Sequence, residues 1–348
     1  VQAEVLVLYN LPTLPASHAE YASEAETVET AQCVAAALQG RGWTCELLGL
    51  DRDLMPLLDR LARRRPRVVF NLFEGFADAG ESEAVVAGLL EYLGIPHTGS
   101  PAATLAWCRD KLRAKLLLLG AGLATPPFLA VDRLPCPAWP YAWPAIVKPA
   151  LQDASVGIDH SSVVSTPEAL EKKAADLLRR YGPPVLVEQF ITGREINVAI
   201  VADPQPEVLP LSEILFQPRA GKWPLVSYEA KWKPGSEDDL ATRPQVPAQV
   251  APELASQLAA AAIRAFRLFG CRQYARCDFR VDDSGVPFLL EVNPNPDLHP
   301  AAGFANSLRA AGRSYEQFLS RLVELLVAEP DAEDAIRGGR PNPAGPAP

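Results

Sequence analysis

Residues 274–298 read YARCDFRVDDSGVPFLLEVNPNPDL, and the fold turns on how this stretch is read. DDSG at 282–285 separates two runs of alternating polarity, which predicts a β-hairpin. Side chains alternate faces along a strand. Cys277, Phe279, Val281, Phe288, Leu290 and Val292 therefore predict an apolar face, with residue 276 opposite about residue 291 on cross-strand geometry. Arg276, Asp278, Glu291 and Asn293 share the other face. Two readings fit that face. One is a solvated surface with cross-strand charge pairs, each worth about 0.2–1 kcal/mol. The other is a Mg²⁺ site, because Mg²⁺ takes hard oxygen donors and often uses one or two carboxylates, with phosphates and water completing the octahedron.

A chain of 348 residues exceeds the size at which a single core keeps growing, so two or three domains are expected. The 48% hydrophobic and 22% charged content is that of a globular protein. A net charge of −9 argues against nucleic-acid or anionic-membrane partners, both of which require a basic face. VQAEVLVLYN lacks the apolar core of a signal peptide and reads as a buried strand. No apolar run reaches the roughly 18 residues of a membrane span. Cys33, Cys45, Cys108, Cys136, Cys271 and Cys277 show no CxxC or Cys/His ligand spacing, so free thiols and a cytoplasmic location are expected. The four histidines form no metal motif.

Over the first 100 or so residues, strands (EVLVLYN, TCELLGL, RVVFNLF) alternate with helices, the first of them SEAETVETAQCVAAALQGRG with a Ser23 cap. Such alternation implies parallel βαβ units, whose ligands gather at the strand carboxyl ends, here Asn10 onward and Asn71 to Gly75. TLAWCRDKLRAKLLLLGAG reads as one helix. AIVKPA and VLVEQFI read as strands around the loop LQDASVGIDHSSVV and the helix PEALEKKAADLLRRYG. REINVAIVA, EVLPLSEILF and the hairpin read as antiparallel strands. The last stretch, 331–348, is rich in Pro, Gly and Ala and predicts a disordered tail.

Several polar residues fall at element ends. Lys148 closes AIVKPA before Pro149, which stops the strand; a snorkelling end residue has the same pattern. Lys111 lies on an amphipathic helix, where a solvated face is the ordinary reading. QDASVGI is a small-residue loop able to bring backbone N–H groups to a phosphate, although it lacks Walker spacing. Glu188 and Glu195 flank the turn in VLVEQFITGREIN.

The order Lys111, Lys148, SVG, EQFITGRE, YEAKW, RxD, ExN resembles the ATP-grasp superfamily, and most closely its D-alanine–D-alanine ligase branch. The resemblance runs to about residue 328 and is strongest in LLEYLGIPHTGS, RDKLRAKLLLLGAG, IVKP, SVG, YEAKW and LLEVN. It implies an α/β fold: a doubly wound parallel layer (1–105), then two α+β ATP-grasp subdomains (106–190 and 191–330) clasping ATP. It also implies a carboxylate–amine ligase acting on amino-acid-like substrates through an acyl phosphate, because phosphorylation removes the negative charge and poor leaving group that protect a carboxylate. Carried over by position, Asp278, Glu291 and Asn293 would hold two Mg²⁺ ions, with Mn²⁺ able to substitute. Lys111, Lys148 and Gly157 would contact ATP phosphates and Lys231 the transferred one. Glu188, Gln189 and Ile191 would line adenine, and Glu195 would accept from the ribose. Arg276 would stabilise the oxyanion, and the loop from Ser155 to Gly157 would close over the phosphates. A homodimer through the N-terminal layer is also implied.

The substrate positions depart from the branch. Its His-Gly pair is Glu74-Gly75 here, its Thr-Ser-Pro-Gly run is Pro294-Asn295-Pro296-Asp297, and the tyrosine after the lysine of YEAKW is Trp232. The serine that grips the second substrate's carboxylate becomes Ala302, followed by Gly303. The glycine-rich entry after the first strand is absent, leaving Glu24 and Glu26 as candidates for the first substrate's amine. The resemblance thus implies the reaction class, with true D-alanine–D-alanine ligation and a non-catalytic nucleotide-binding protein as the alternatives.

Overall fold

The computed structural model describes residues 4–76 and 79–328; the expected tail at 331–348 lies outside them. The chain opens with β1 (Val5–Asn10), α1 (Tyr21–Gly40), β2 (Cys45–Leu50), α2 (Met55–Arg63), β3 (Val68–Leu72), α3 (Ser82–Tyr92) and α4 (Ala102–Arg109). The three strands form a parallel sheet in the order β2-β1-β3. β1 and β3 are near-continuous apolar runs because helices cover both sheet faces. Ser23 does not cap α1: the helix begins at Tyr21 without a side-chain cap, and the Ser23 hydroxyl donates back to the Glu20 carbonyl.

α5 (Lys111–Gly120) follows, then β4 (Phe128–Val131), β5 (Ala145–Pro149), β6 (Val163–Val164), α6 (Pro167–Tyr181) and β7 (Val185–Gln189). These strands make an antiparallel sheet in the order β4-β7-β5-β6, with α6 on one face. The single helix expected across TLAWCRDKLRAKLLLLGAG is two. Asp110 adopts extended ψ between α4 and α5, and its carboxylate accepts from the Arg113 N–H, capping α5.

The remainder comprises β8 (Arg194–Ala202), β9 (Pro206–Val208), β10 (Ser212–Phe216), α7 (Tyr228–Trp232), α8 (Glu237–Leu240), β11 (Thr242–Gln245), α9 (Pro252–Leu268), β12 (Tyr274–Val281), β13 (Pro287–Asn293), α10 (Gly303–Ala310) and α11 (Tyr315–Ala328). The six strands form an antiparallel sheet ordered β11-β10-β8-β12-β13, with β9 added on β8. EVLPLSEILF is therefore two strands rather than one. Gly193 enters β8 at φ +121°, where a Cβ would come within 2.2 Å of the Val281 carbonyl oxygen, so the approach to β12 requires glycine. α10 and α11 return to the first sheet: Phe304, Leu308, Leu319 and Val323 share a core with Val5, Val7 and Phe70.

The hairpin corrects the expected register. Arg276 pairs with Asn293 and Asp278 with Glu291, but Phe279 pairs with Leu289. Leu290 is the extra residue of a β-bulge, which reverses the parity of everything before it on β13. Leu289 accordingly joins the core with Cys277, Phe279, Val281 and Val292, while Phe288 and Leu290 are only half-buried. Among the described residues, no helix is long and apolar enough to cross a membrane.

Candidate active site

The bulge keeps Arg276, Asp278, Glu291 and Asn293 on one face, to which β8 adds Asn197 opposite Asp278. Asp278 accepts four hydrogen bonds. Its Oδ1 accepts from Arg276 Nε and Asn197 Nδ2, each at 2.8 Å, and its Oδ2 from Arg276 Nη2 at 2.8 Å and Asn293 Nδ2 at 2.9 Å. Burial works against the charge on Arg276, yet Asp278 and Glu291 outweigh it and push its pKa up. Asn293 also donates to Glu291 at 3.4 Å. Two carboxylates and an amide thus stand on adjacent positions, a hard-oxygen set of the kind that suits Mg²⁺ when phosphates supply the other ligands. The described residues contain no group of three or more His, Cys, Asp or Glu side chains poised for a metal.

On the central sheet Lys148 is buried at the end of β5, and its ammonium pairs with Glu188 on the adjacent β7. Glu188 takes a second ammonium from Lys115, at 2.6 Å. Burial opposes the charge on Glu188, but Lys115 and Lys148 override it and bring its pKa down to about 2. Burial likewise lowers the pKa of Lys115, with Lys148 adding repulsion against the pull of Glu188. Lys115 lies one helical turn beyond Lys111; i,i+4 spacing signalled a shared face, but not that the face is buried. Gln189 and Ile191 follow at the exit from β7, Ile191 buried.

Lys111 is not on a solvated face. It is 6% exposed; its ammonium donates to the Gln152 carbonyl and, at 2.7 Å, to Asp153, and lies 4.0 Å from Glu291. Arg109 holds the other Asp153 oxygen at 2.6 Å. Lys111 and Arg109 together overcome burial and hold the Asp153 carboxyl well below its usual range. The following loop runs through left-handed φ at Ala154 (56°) and Ser155 (59°), conformations that non-glycine residues adopt only under tertiary constraint. The constraint includes the Trp232 indole, which donates to the Ala154 carbonyl at 2.8 Å. At Gly157, φ +74°, a Cβ would come within 2.8 Å of the Tyr181 ring. Neither Arg109 nor Asp153 was legible as a site residue, because their pairing joins two distant segments.

A cavity of about 440 Å³ lies between these groups. Lys231, Trp232, Arg276, Asn293, Ala154 and Val156 line it, and Glu20, Glu24, Glu26, Glu74, Glu83, Asp153 and Asp297 add carboxylates. Ser155, Gly157 and Gly303 do not line it; Gly303 is exposed at the start of α10. The Glu24 carboxylate accepts from Thr13 N and Leu14 N, both at 2.8 Å, and fixes the loop after β1. Glu74 opens onto the cavity; desolvation by the walls, then repulsion from Asp297 and Glu83, push its pKa up to about 8 against the pull of Lys231. Desolvation and Asp297 raise Glu26 to about 7, and burial raises Glu83 to about 7. At the start of β8, Glu195 pairs with Arg280 of β12 at 2.8 Å, and burial raises its pKa despite that partner.

Comparison with known proteins gives a consistent answer. The family described as D-ala D-ala ligase C-terminus matches residues 120–324. A D-alanine–D-alanine ligase of Desulforudis audaxviator is 33% identical over 86% of this chain and 93% of its own length. An uncharacterised protein, y4sG, of Sinorhizobium fredii is also 33% identical, over 85% of this chain and 86% of its own. The crystal structure of the Bacillus anthracis D-alanine–D-alanine ligase complexed with ATP shares the fold, with a TM-score of 0.72 at 20% identity, covering 95% of this chain and 99% of that one. With a matching α/β architecture and the family model covering more than half of its length, the chain belongs to the D-alanine–D-alanine ligase family of the ATP-grasp superfamily.

Proposed function

We propose that this ligase joins an amino-acid carboxylate to an amine through an acyl phosphate, at the expense of ATP, and that its substrates are not two D-alanines. The observation that carries the second half is the cavity lining, where Glu26, Glu74 and Asp297 stand together and repel one another, with Lys231 and Arg276 as cations on the same wall. A zwitterionic substrate with no further charge leaves that repulsion in place. One with an additional ammonium or guanidinium group relieves it.

In this reading the chain divides at about 105 and 190 into an entry layer and two clasping subdomains, with ATP between the two later sheets. Lys111, Lys148 and Lys231 neutralise the phosphates, which is most of what phosphoryl transfer requires of a protein. Asp278, Glu291 and Asn293 would hold Mg²⁺, which would supply positive charge to offset that of the phosphates. Arg276, fixed by Asp278, stands where an oxyanion develops when the amine attacks the acyl phosphate. Asp153 and Trp232 keep the loop at 152–157 drawn over the site, excluding water that would hydrolyse the intermediate. Free cysteines support a reducing, cytoplasmic setting. Exposed Leu47, Met55, Leu58 and Tyr92 on the N-terminal layer support a homodimer.

An ADP-release screen of amino acids, singly and in pairs, with mass spectrometry of the products, tests this reading. Amide products with cationic amino acids are expected. ATP hydrolysis without any amide product would refute ligation.

A further inference from the structure

Arg280 of β12 pairs with Glu195 of β8 at 2.8 Å. It lies two residues beyond Asp278 on β12, and Cys277, Phe279 and Val281 between and beside them point into the core. Arg276, Asp278 and Arg280 therefore share the polar face. Asp278 is opposite Asn197, and Arg280 is opposite Glu195, so the second pair stands about 7 Å further along the sheet. That offset runs from the phosphate-binding groups toward the place assigned to ribose and base. Arg280 is 3% exposed. Its guanidinium lies 5.1 Å from the Phe190 ring centre and 5.4 Å from that of Phe216, and Nη2 serves both Glu195 and the Pro224 carbonyl. Nη1 is buried with no hydrogen-bond partner among the described residues. A buried cationic donor without an acceptor is an arrangement that a ligand completes.

We infer that Arg280 is a nucleoside-recognition residue, holding the Glu195 carboxylate in place for the ribose and offering Nη1 to an acceptor on the base. This rests on the ATP reading above and adds a contact outside the phosphate and metal groups. A charge-assisted hydrogen bond in a water-poor site is stronger than a neutral one, and the flanking Phe190 fixes the guanidinium plane. A lysine cannot reproduce the fork.

Binding of ATP and of inorganic triphosphate, both with Mg²⁺, to the parent, Arg280→Met and Arg280→Lys separates the possibilities. Arg280→Met should weaken ATP by about ten- to a hundredfold and triphosphate by no more than about twofold, with Arg280→Lys intermediate. The double variant Arg280→Met/Glu195→Gln leaves no unpaired carboxylate, and covers the case in which the single variant fails to fold. It should bind ATP more weakly than Glu195→Gln alone, with triphosphate binding within about twofold of that variant's. ATP affinity equal to the parent's in a folded variant, or equal loss for both ligands, would overturn the inference while leaving the ligase reading intact. A parent that binds neither ligand would overturn both.

Discussion

Arg276 and Asp278, two residues apart on β12, form a forked ion pair with Nε–Oδ1 and Nη2–Oδ2 distances of 2.8 Å each. A carboxylate that orients the arginine also stands with Glu291 and Asn293 on the candidate metal face, so one residue would couple the two proposed tasks. Removing a single oxyanion donor lowers turnover by about 10²–10³-fold where the donor acts in the transition state. Arg276→Met should show that loss in kcat with ATP affinity within about threefold of the parent's. A matching rise in ATP Kd would instead make Arg276 a ground-state phosphate contact.

Glu291→Gln should reduce Mg²⁺-dependent turnover by at least about a hundredfold, because an amide contributes weaker donation to a hard cation than a carboxylate does. Side-chain exposure of 33% leaves room for the change without unfolding. Circular dichroism should be unchanged, and a Mg²⁺ titration should require far higher concentrations. Parent-like Mg²⁺ dependence would remove Glu291 from the metal set.

Glu188 links stability to pH. Its folded pKa is depressed from 4.5 to about 2, so the stability it contributes is present above pH 4.5 and is lost as pH falls toward 2. Glu188→Gln leaves two buried ammonium groups facing each other and should cost about 3–5 kcal/mol near neutral pH. Urea unfolding across the acid range checks the sign: the gap between parent and variant should shrink below pH 4.5.

Glu74 predicts the opposite slope. Its pKa is raised to about 8, so its contribution is full below 4.5 and is lost as pH rises through 8. Glu74→Gln should gain stability relative to the parent between pH 5 and pH 8. It should also weaken a cationic substrate more than a neutral one. With Ala302 where a serine would grip a carboxylate, D-alanine alone should give slow ATP turnover; efficient D-alanyl-D-alanine formation at low-millimolar substrate would sink the substrate assignment.

The alternation in YARCDFRV and the order of the lysines carried the fold and pointed to the candidate site, since period-two and helical patterns survive in the chain itself. Other features depended on tertiary partners. The bulge at Leu290 adds one residue, which no polarity pattern marks, and it moved Leu289 into the core. Lys111 and Lys115 look like surface lysines until Asp153 and Glu188 arrive from 42 or more residues further along the sequence. Asp110 was readable as a cap only once α4 and α5 separated.

The most direct measurement follows oxygen. With the carboxylate substrate identified in the screen labelled with ¹⁸O at both carboxylate oxygens, the phosphate released per turnover should carry one labelled atom, because that oxygen becomes the bridge of the acyl phosphate and leaves with phosphorus. Phosphate without label, alongside amide product, would contradict activation through an acyl phosphate and with it the account of this site.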